Sequence, residues 1–350
     1  MKPSKLLILV IAAAALVALA FWTNRQQRAA PPSAIGKSLL PRFDLESVAR
    51  VEIARSGAPV SIVRGDDGWA VTNLFGYPAD LTKLQAALLK LTEQKIGEVA
   101  RGVNIDTNAT LVDLQGASGK PLVTLRLGSR TPERSARTAQ GRYVAVAGNP
   151  QVYLVKDTLE EFDVPPREWV NSQLLSIQSA DIQTIELASP TGGVLTLARD
   201  GASLQLQGIA TNEEFDTSKS YGVESAFSYL NFSGVADPKL TEAQTGLAAP
   251  SLYRVKTKNG DLYTARMGAV AAGGDRYVRM EAALAPPGTN ATAKAEHATR
   301  KAELEQKFGK WTYLLAASTA ENMTRTRADL VKPKVVSTNA TATVEPPAAP

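Results

Sequence analysis

The sequence contains no cysteine and a single histidine. Without cysteine there are no disulfides, thiolate metal sites, cysteine nucleophiles or lipid-modified N-terminal cysteine. One histidine excludes, by count, a histidine-built zinc site and a Ser-His-Asp triad. That histidine, His297, stands among Lys, Glu and Arg, and it reads as a residue on a solvated helix. Aromatics are sparse at 6%. The chain also lacks a Gly-x-x-x-x-Gly-Lys-Ser/Thr loop, a Gly-x-Gly-x-x-Gly turn and a Gly-x-Ser-x-Gly elbow. The absence of a phosphate-binding loop argues against ATP hydrolysis by a P-loop mechanism. No Asp-x-Asp-x-Asp-Gly calcium loop is present. The formal net charge of +5 is spread along 350 residues and is too small to imply nucleic acid. Nothing calls for a cofactor.

What is present begins with "MKPSKLLILVIAAAALVALAFWTNRQQR". An uncharged run extends from Leu6 to Trp22 after Lys2 and Lys5. As a helix it would be roughly 25 Å long, the short end of a membrane span. Two readings stand. Ala18-Leu19-Ala20 fits a signal-peptidase site. Phe21-Trp22 prolongs the apolar run past that site and favours a retained anchor, with Trp22 at the far interface. On either reading the body of the chain is exported. Residues 1–22 are thus an anchor or signal segment. Residues 23–42, with Pro31-Pro32, read as a linker, and residues 332–350, rich in Thr, Ala and Pro, as a disordered tail.

The body between them repeats itself. Val48-Ala49-Arg50-Val51-Glu52-Ile53 and Ile182-Gln183-Thr184-Ile185-Glu186-Leu187 both alternate apolar and polar residues, the period of a half-buried strand. "VSIVRGDDGWAV" and "LTLARDGASLQL" follow as matching hairpins with Gly- and Asp-containing turns. "ADLTKLQAALLKLTEQ" places Leu84, Leu88 and Leu91 on one helix face, with Asp80 as N-cap. "TSKSYGVESAFSYLNF" places Val223, Phe227 and Leu230 at the same spacing. "PLVTLRLG" matches "DLYTARMG", Arg142-Tyr143-Val144 matches Arg276-Tyr277-Val278, and Tyr153 matches Tyr313. The expected fold class is α+β: two tandem copies of an antiparallel unit (hairpin, helix, meander), at 43–165 and 166–331, after the N-terminal segment. The offset grows from 134 at Tyr143 to 160 at Tyr153, so the second copy carries an insertion near 285–310.

Asp67-Gly68-Trp69, Pro78-Ala79-Asp80, Thr245-Gly246-Leu247 through Pro250, and the two Arg-Tyr-Val segments resemble the bacterial domain-of-unknown-function family 4340. The likeness covers roughly residues 43 to 320. In the first copy "NATLVDLQGASGKP" replaces the family's Gly-Leu-x-x-Pro element. The resemblance implies an N-terminal membrane segment, a periplasmic body and, for some members, association with ABC-type transport systems of the gliding-motility kind. It supplies no catalytic residues.

Paired carboxylates at Asp66-Asp67, Glu160-Glu161 and Glu213-Glu214 with Asp216 are the glycosidase-like candidates, but turn chemistry explains the first pair. Six arginines recur in equivalent places: Arg64 with Arg199, Arg126 with Arg266, and Arg142 with Arg276. Read functionally, they form a cationic surface for an anionic glycan or a partner's acidic face. Read structurally, they are strand residues with local carboxylate partners, each worth under about 1 kcal/mol. In the insertion, Leu304 and Phe308 are the few apolar residues and hence the candidate docking anchors for a protein partner. The sequence thus points to a non-enzymatic, membrane-tethered extracytoplasmic module in the bacterial inner membrane. Its partner would be a cell-envelope protein, and the family resemblance implies that it is accessory to an ABC-type system. The alternative is an anchored or secreted binder of glycan or envelope material.

Overall fold

A computed structural model describes residues 34–334 except 41–42, 56–58, 106–107 and 132–139. The Leu6–Trp22 segment, the first part of the linker and the tail beyond residue 334 lie outside the described residues. Among the described residues no helix is long and apolar enough to cross a membrane. Contacts divide the chain into two units, one of residues up to 69 with 80–165, the other of 70–79 with residues from 166 onward.

Period-2 alternation builds the first sheet. Its strands are β1 (Val48–Ala54), β2 (Val60–Gly65), β3 (Gly68–Val71), β4 (Tyr77–Pro78), β5 (Ile96–Ala100), β6 (Thr110–Gly116), β7 (Pro121–Arg130), β8 (Arg142–Val146) and β9 (Val152–Val155). They lie in the order β4-β3-β2-β1-β6-β7-β8-β9-β5, antiparallel throughout. Val51, Ile53, Val123, Leu125 and Leu127 are all buried, because alternate residues of a strand share one face. The helix Leu81–Thr92 starts where Asp80 accepts a hydrogen bond from the Lys83 amide at 3.1 Å, and it buries Leu84, Ala87, Leu88 and Leu91. The Asp66-Asp67 turn joins β2 to β3, with Gly68 supplying a φ of +107°.

The second unit contains β10 (Gln173–Leu175), β11 (Ile182–Ala188), β12 (Val194–Asp200), β13 (Ser203–Leu206), β14 (Glu213–Phe215), β15 (Leu230–Asn231), β16 (Gly234–Val235), β17 (Ser251–Thr257), β18 (Leu262–Val270), β19 (Arg276–Ala283), β20 (Tyr313–Leu315) and β21 (Val331–Pro333). Eight of these form a sheet in the order β13-β12-β11-β17-β18-β19-β20-β16, while β10 pairs with β15 and β14 with β21. Tyrosines centre this core. Tyr253, Tyr263 and Tyr313 are fully buried, and each hydroxyl finds a partner, as buried phenols require. The Thr241-Gly246 stretch is a short helix closed by a capping box between Thr241 and Gln244 and ended by Gly246 at a φ of +72°.

One helix differs from expectation. Val223, Phe227 and Leu230 do not share it, for it runs only from Thr217 to Ser225. The Tyr253 hydroxyl donates to the Val223 carbonyl at 2.6 Å and caps the helix there. Leu230 then enters β15, and Phe227 is buried in the intervening turn with its ring edge-on to Tyr253 at 4.9 Å.

Candidate functional site

The recurrent arginines are taken up largely by the backbone. In the first unit Arg64 donates to the Glu46 carbonyl at 3.2 Å, on the 3₁₀ turn that leads into β1. In the second, Arg199 donates to the carbonyls of Ser179 and Ile182, each at 2.5 Å, on the 3₁₀ turn that leads into β11. The Nε of Arg142 donates to the Gly128 carbonyl at 2.9 Å, and the Nε of Arg276 to the Gly268 carbonyl at 2.8 Å. Arg266 bonds Glu281 at 3.3 Å and the Leu247 carbonyl at 3.2 Å. Arg126 is exposed on the outer face of β7.

Arg142 is enclosed and cannot contribute to an anion-binding surface. Its two terminal nitrogens reach the two oxygens of Asp163, each at 2.9 Å. Asp163 also accepts from Arg130 at 2.6 Å and from Thr110 at 2.7 Å. Burial pushes the Asp163 pKa up, but the bonds from Arg142, Arg130 and Thr110 outweigh it and bring the value down to about 2. A carboxylate so fully engaged ties the segment around Leu159–Asp163 to the sheet. It is not poised to exchange a proton near neutrality.

The other carboxylate candidates are also paired, although the Oε1 of Glu161 is enclosed without a hydrogen-bond partner among the described residues. Glu161 pairs with Lys90 at 3.1 Å and Glu160 with Arg130 at 3.6 Å. Glu213 pairs with Arg327, and Asp216 caps the helix Thr217–Ser225. Among the described residues no group of His, Asp and Glu side chains is placed to hold a metal ion.

The insertion is a helix, Ala291–Phe308, capped by Asn290, whose side chain accepts from the Ala293 amide at 2.7 Å. It is pinned at several points. The buried Asp261 carboxylate accepts from the Ala285 amide at 2.9 Å and pairs with Arg300 at 3.0 Å. Arg300 also donates to the Tyr263 hydroxyl, and the Tyr313 hydroxyl donates to the Lys307 carbonyl. Phe308 is turned inward and buried, so it holds the helix down and is not an outward anchor. Leu304 is half-buried and faces a cavity of about 560 Å³ between the helix and β19.

That cavity has an apolar base of Met280, Leu304 and Phe308 and a charged rim of Arg266, Arg279, Lys301, Glu281 and Glu305. His297 also lines it and is half-buried, not solvated as the sequence suggested. Its Nε2 and the Nε of Arg279 are enclosed and have no hydrogen-bond partner among the described residues. The cavity's volume falls in the range of ligand pockets, although its lining is more charged than most of them. Sequence reasoning found the helix, Leu304 and Arg266, and read Arg276-Tyr277-Val278 as a strand, but not the unpaired edge of β19, because the composition of a strand does not reveal which of its edges is left open. A larger groove of about 1170 Å³ runs along the helix Leu81–Thr92 in the first unit, past Trp69 and the exposed Leu81 and Leu89.

The family model described as Domain of unknown function (DUF4340) matches residues 69–250, and the chain belongs to that family. Comparison with curated proteins and with solved structures finds no match.

Proposed function

We propose that this member of the family is a membrane-tethered extracytoplasmic binding module that engages a partner protein as an accessory of an ABC-type transport or export system. In this reading the body is one α+β unit built twice, at 43–165 and 166–331. Strand order supports the duplication: β3-β2-β1-β6-β7-β8-β9-β5 in one sheet corresponds term by term to β13-β12-β11-β17-β18-β19-β20-β16 in the other. So do the matched arginine-to-carbonyl bonds at Arg64 and Arg199, and at Arg142 and Arg276.

The observation that carries the binding role is the helix Ala291–Phe308, pinned beside β19 so that a cavity stays open between them. In the first unit the corresponding connection, from β8 to β9, is a short turn. Where one copy of a scaffold acquires an element that the other lacks, that element is the place to look for its task. Binding is favoured over catalysis because Glu160, Glu161, Glu213 and Asp216 are each taken up in an ion pair or a helix cap and Asp66-Asp67 forms a hairpin turn. The membrane tether rests on the Leu6–Trp22 run, and the transporter association on the family resemblance.

The test is photo-crosslinking in native membranes, with a photoreactive residue at Leu304 and, as control, at Lys120 in the first unit. A membrane-embedded transporter subunit recovered from Leu304 and not from Lys120 is the expected result. Recovery of no envelope protein from Leu304 would overturn the proposal.

A further inference from the structure

β19 is longer than the strand that covers it. On one side it pairs with β18 along almost its whole length, from Arg276 to Ala283. On the other side β20 reaches only Arg276, Tyr277 and Val278. From Arg279 to Ala283 no strand among the described residues lies against that outer edge, and the groove beside the helix Ala291–Phe308 takes its place.

The direction of the backbone groups there follows from the ladder. In antiparallel pairs, successive residues point their N–H and C=O alternately to one neighbour and to the other. The Thr257 amide donates to the Asp261 carbonyl, so Asp261, Tyr263 and Ala265 face β17, while Leu262, Thr264 and Arg266 face β19. Their partners Ala283, Glu281 and Arg279 therefore face β18. Met280 and Ala282, between them, aim their N–H and C=O at the groove. Met280 is enclosed and Ala282 half-buried. Among the described residues these groups have no strand partner, and an unpaired backbone edge favours a chain that completes the ladder.

The opposite wall suits such a chain. His297, Lys301, Leu304 and Phe308 fall on one helix face at spacings of three and four residues. A strand held between a sheet edge and a helix is a recurrent mode of peptide recognition, in which the backbone ladder supplies affinity and side-chain pockets supply selectivity. The charged lining sets the preference. Its three cations each have a carboxylate nearby, Arg266 with Glu281 at 3.3 Å, Arg279 with Glu242 at 3.2 Å and Lys301 with Glu305 at 3.7 Å, and what is left for a ligand is the Arg279 Nε and the His297 Nε2, which lack partners among the described residues.

We infer that the groove between β19 and the helix Ala291–Phe308 binds an extended segment of a partner protein by strand addition to Met280 and Ala282, with an acidic side chain of that segment directed at Arg279 and His297. This rests on the binding-module reading and names what the module takes. A short Leu304 contact alone would suit many ligands; an open backbone edge suits an extended polypeptide.

The experiment uses the full chain in detergent micelles, with a phage-displayed library of random linear peptides as probe. Peptides that bind are expected to carry an acidic residue and to lose about tenfold or more in affinity on Lys301→Glu. Each is then resynthesised with single backbone N-methyl groups along its length. Strand addition predicts that methylation weakens binding at alternate positions, because only every second amide joins the ladder. Ala282→Pro is expected to abolish binding. The N-methyl series reads the same ladder without touching the protein, so a misfolded proline variant cannot mislead.

A library with no binder sensitive to Lys301→Glu would overturn the inference, as would binders indifferent to N-methylation at every position. A partner crosslinked at Leu304 together with N-methyl-indifferent peptides would leave the binding module standing and remove strand addition. Alternating N-methyl sensitivity without any crosslinked transporter subunit would support strand addition and remove the transporter association.

Discussion

The Asp163 carboxylate is 11% exposed, yet bonds from Arg142, Arg130 and Thr110 hold it ionised down to about pH 2. A carboxylate whose pKa is lower folded than unfolded adds stability above its unfolded value, and that stability disappears as pH falls through the folded value. The contribution is about 2 kcal/mol, present at neutrality and lost between about pH 4 and pH 2. Asp163→Asn should therefore lower the thermal midpoint at pH 7 and flatten the acid limb of the stability curve. Arg142→Ala should cost about 3–5 kcal/mol, since it strands a nearly buried carboxylate. Arg64→Ala, at an exposed position, should cost about 1 kcal/mol or less. Thermal melts across an acid pH series separate these. Equal losses for Arg142→Ala and Arg64→Ala would mean that the network around Asp163 does not hold the segment as described.

The elements differ in how far each was legible in the sequence. Val48–Ile53 and Ile182–Leu187 could be read because strand alternation is local, and the helix Leu81–Thr92 because its leucine spacing and its Asp80 cap are local too. The helix beginning at Thr217 was misread at its far end. What stops it is the Tyr253 hydroxyl on the Val223 carbonyl, from a strand far along the chain. Phe227 was rightly placed in the core and wrongly placed on the helix. The groove was beyond reach for the same reason: it exists because β20 stops short on β19, and pairing length is a property of register. Leu304 could be found as an apolar residue in a charged stretch, whereas the inward turn of Phe308 depends on what the helix packs against.

Leu88 and Phe227 test the two placements together. Leu88→Ala and Phe227→Ala should each cost about 2–5 kcal/mol by chemical denaturation. For Phe227 the loss includes its edge-on contact with Tyr253. A value below about 1 kcal/mol at either site would show that the side chain is not packed as the structure has it.

At the scale of the whole molecule, the proposed membrane tether makes a prediction about topology. The run from Leu6 to Trp22 contains no charge, and Lys2, Lys5, Arg25 and Arg28 flank it on both sides, so the positive-inside rule gives little orientation by itself. On the proposed reading the run acts as an export signal or signal-anchor, which would carry the residues after it across the membrane. Length separates the two fates. As a helix the segment would span roughly 25 Å, against a hydrocarbon core of about 30 Å, a mismatch that local thinning and an interfacial Trp22 would accommodate. Phe21 and Trp22, just past Ala20, lengthen the apolar run where a cleaved peptide would already have ended. The retained anchor is therefore expected. The protein should stay with membranes through carbonate extraction, and protease added to spheroplasts should digest the body while intact cells protect it. A soluble form beginning at Phe21 would establish cleavage and leave the module free in the envelope. Protection of the body in spheroplasts would place it on the cytoplasmic side and remove the extracytoplasmic reading altogether.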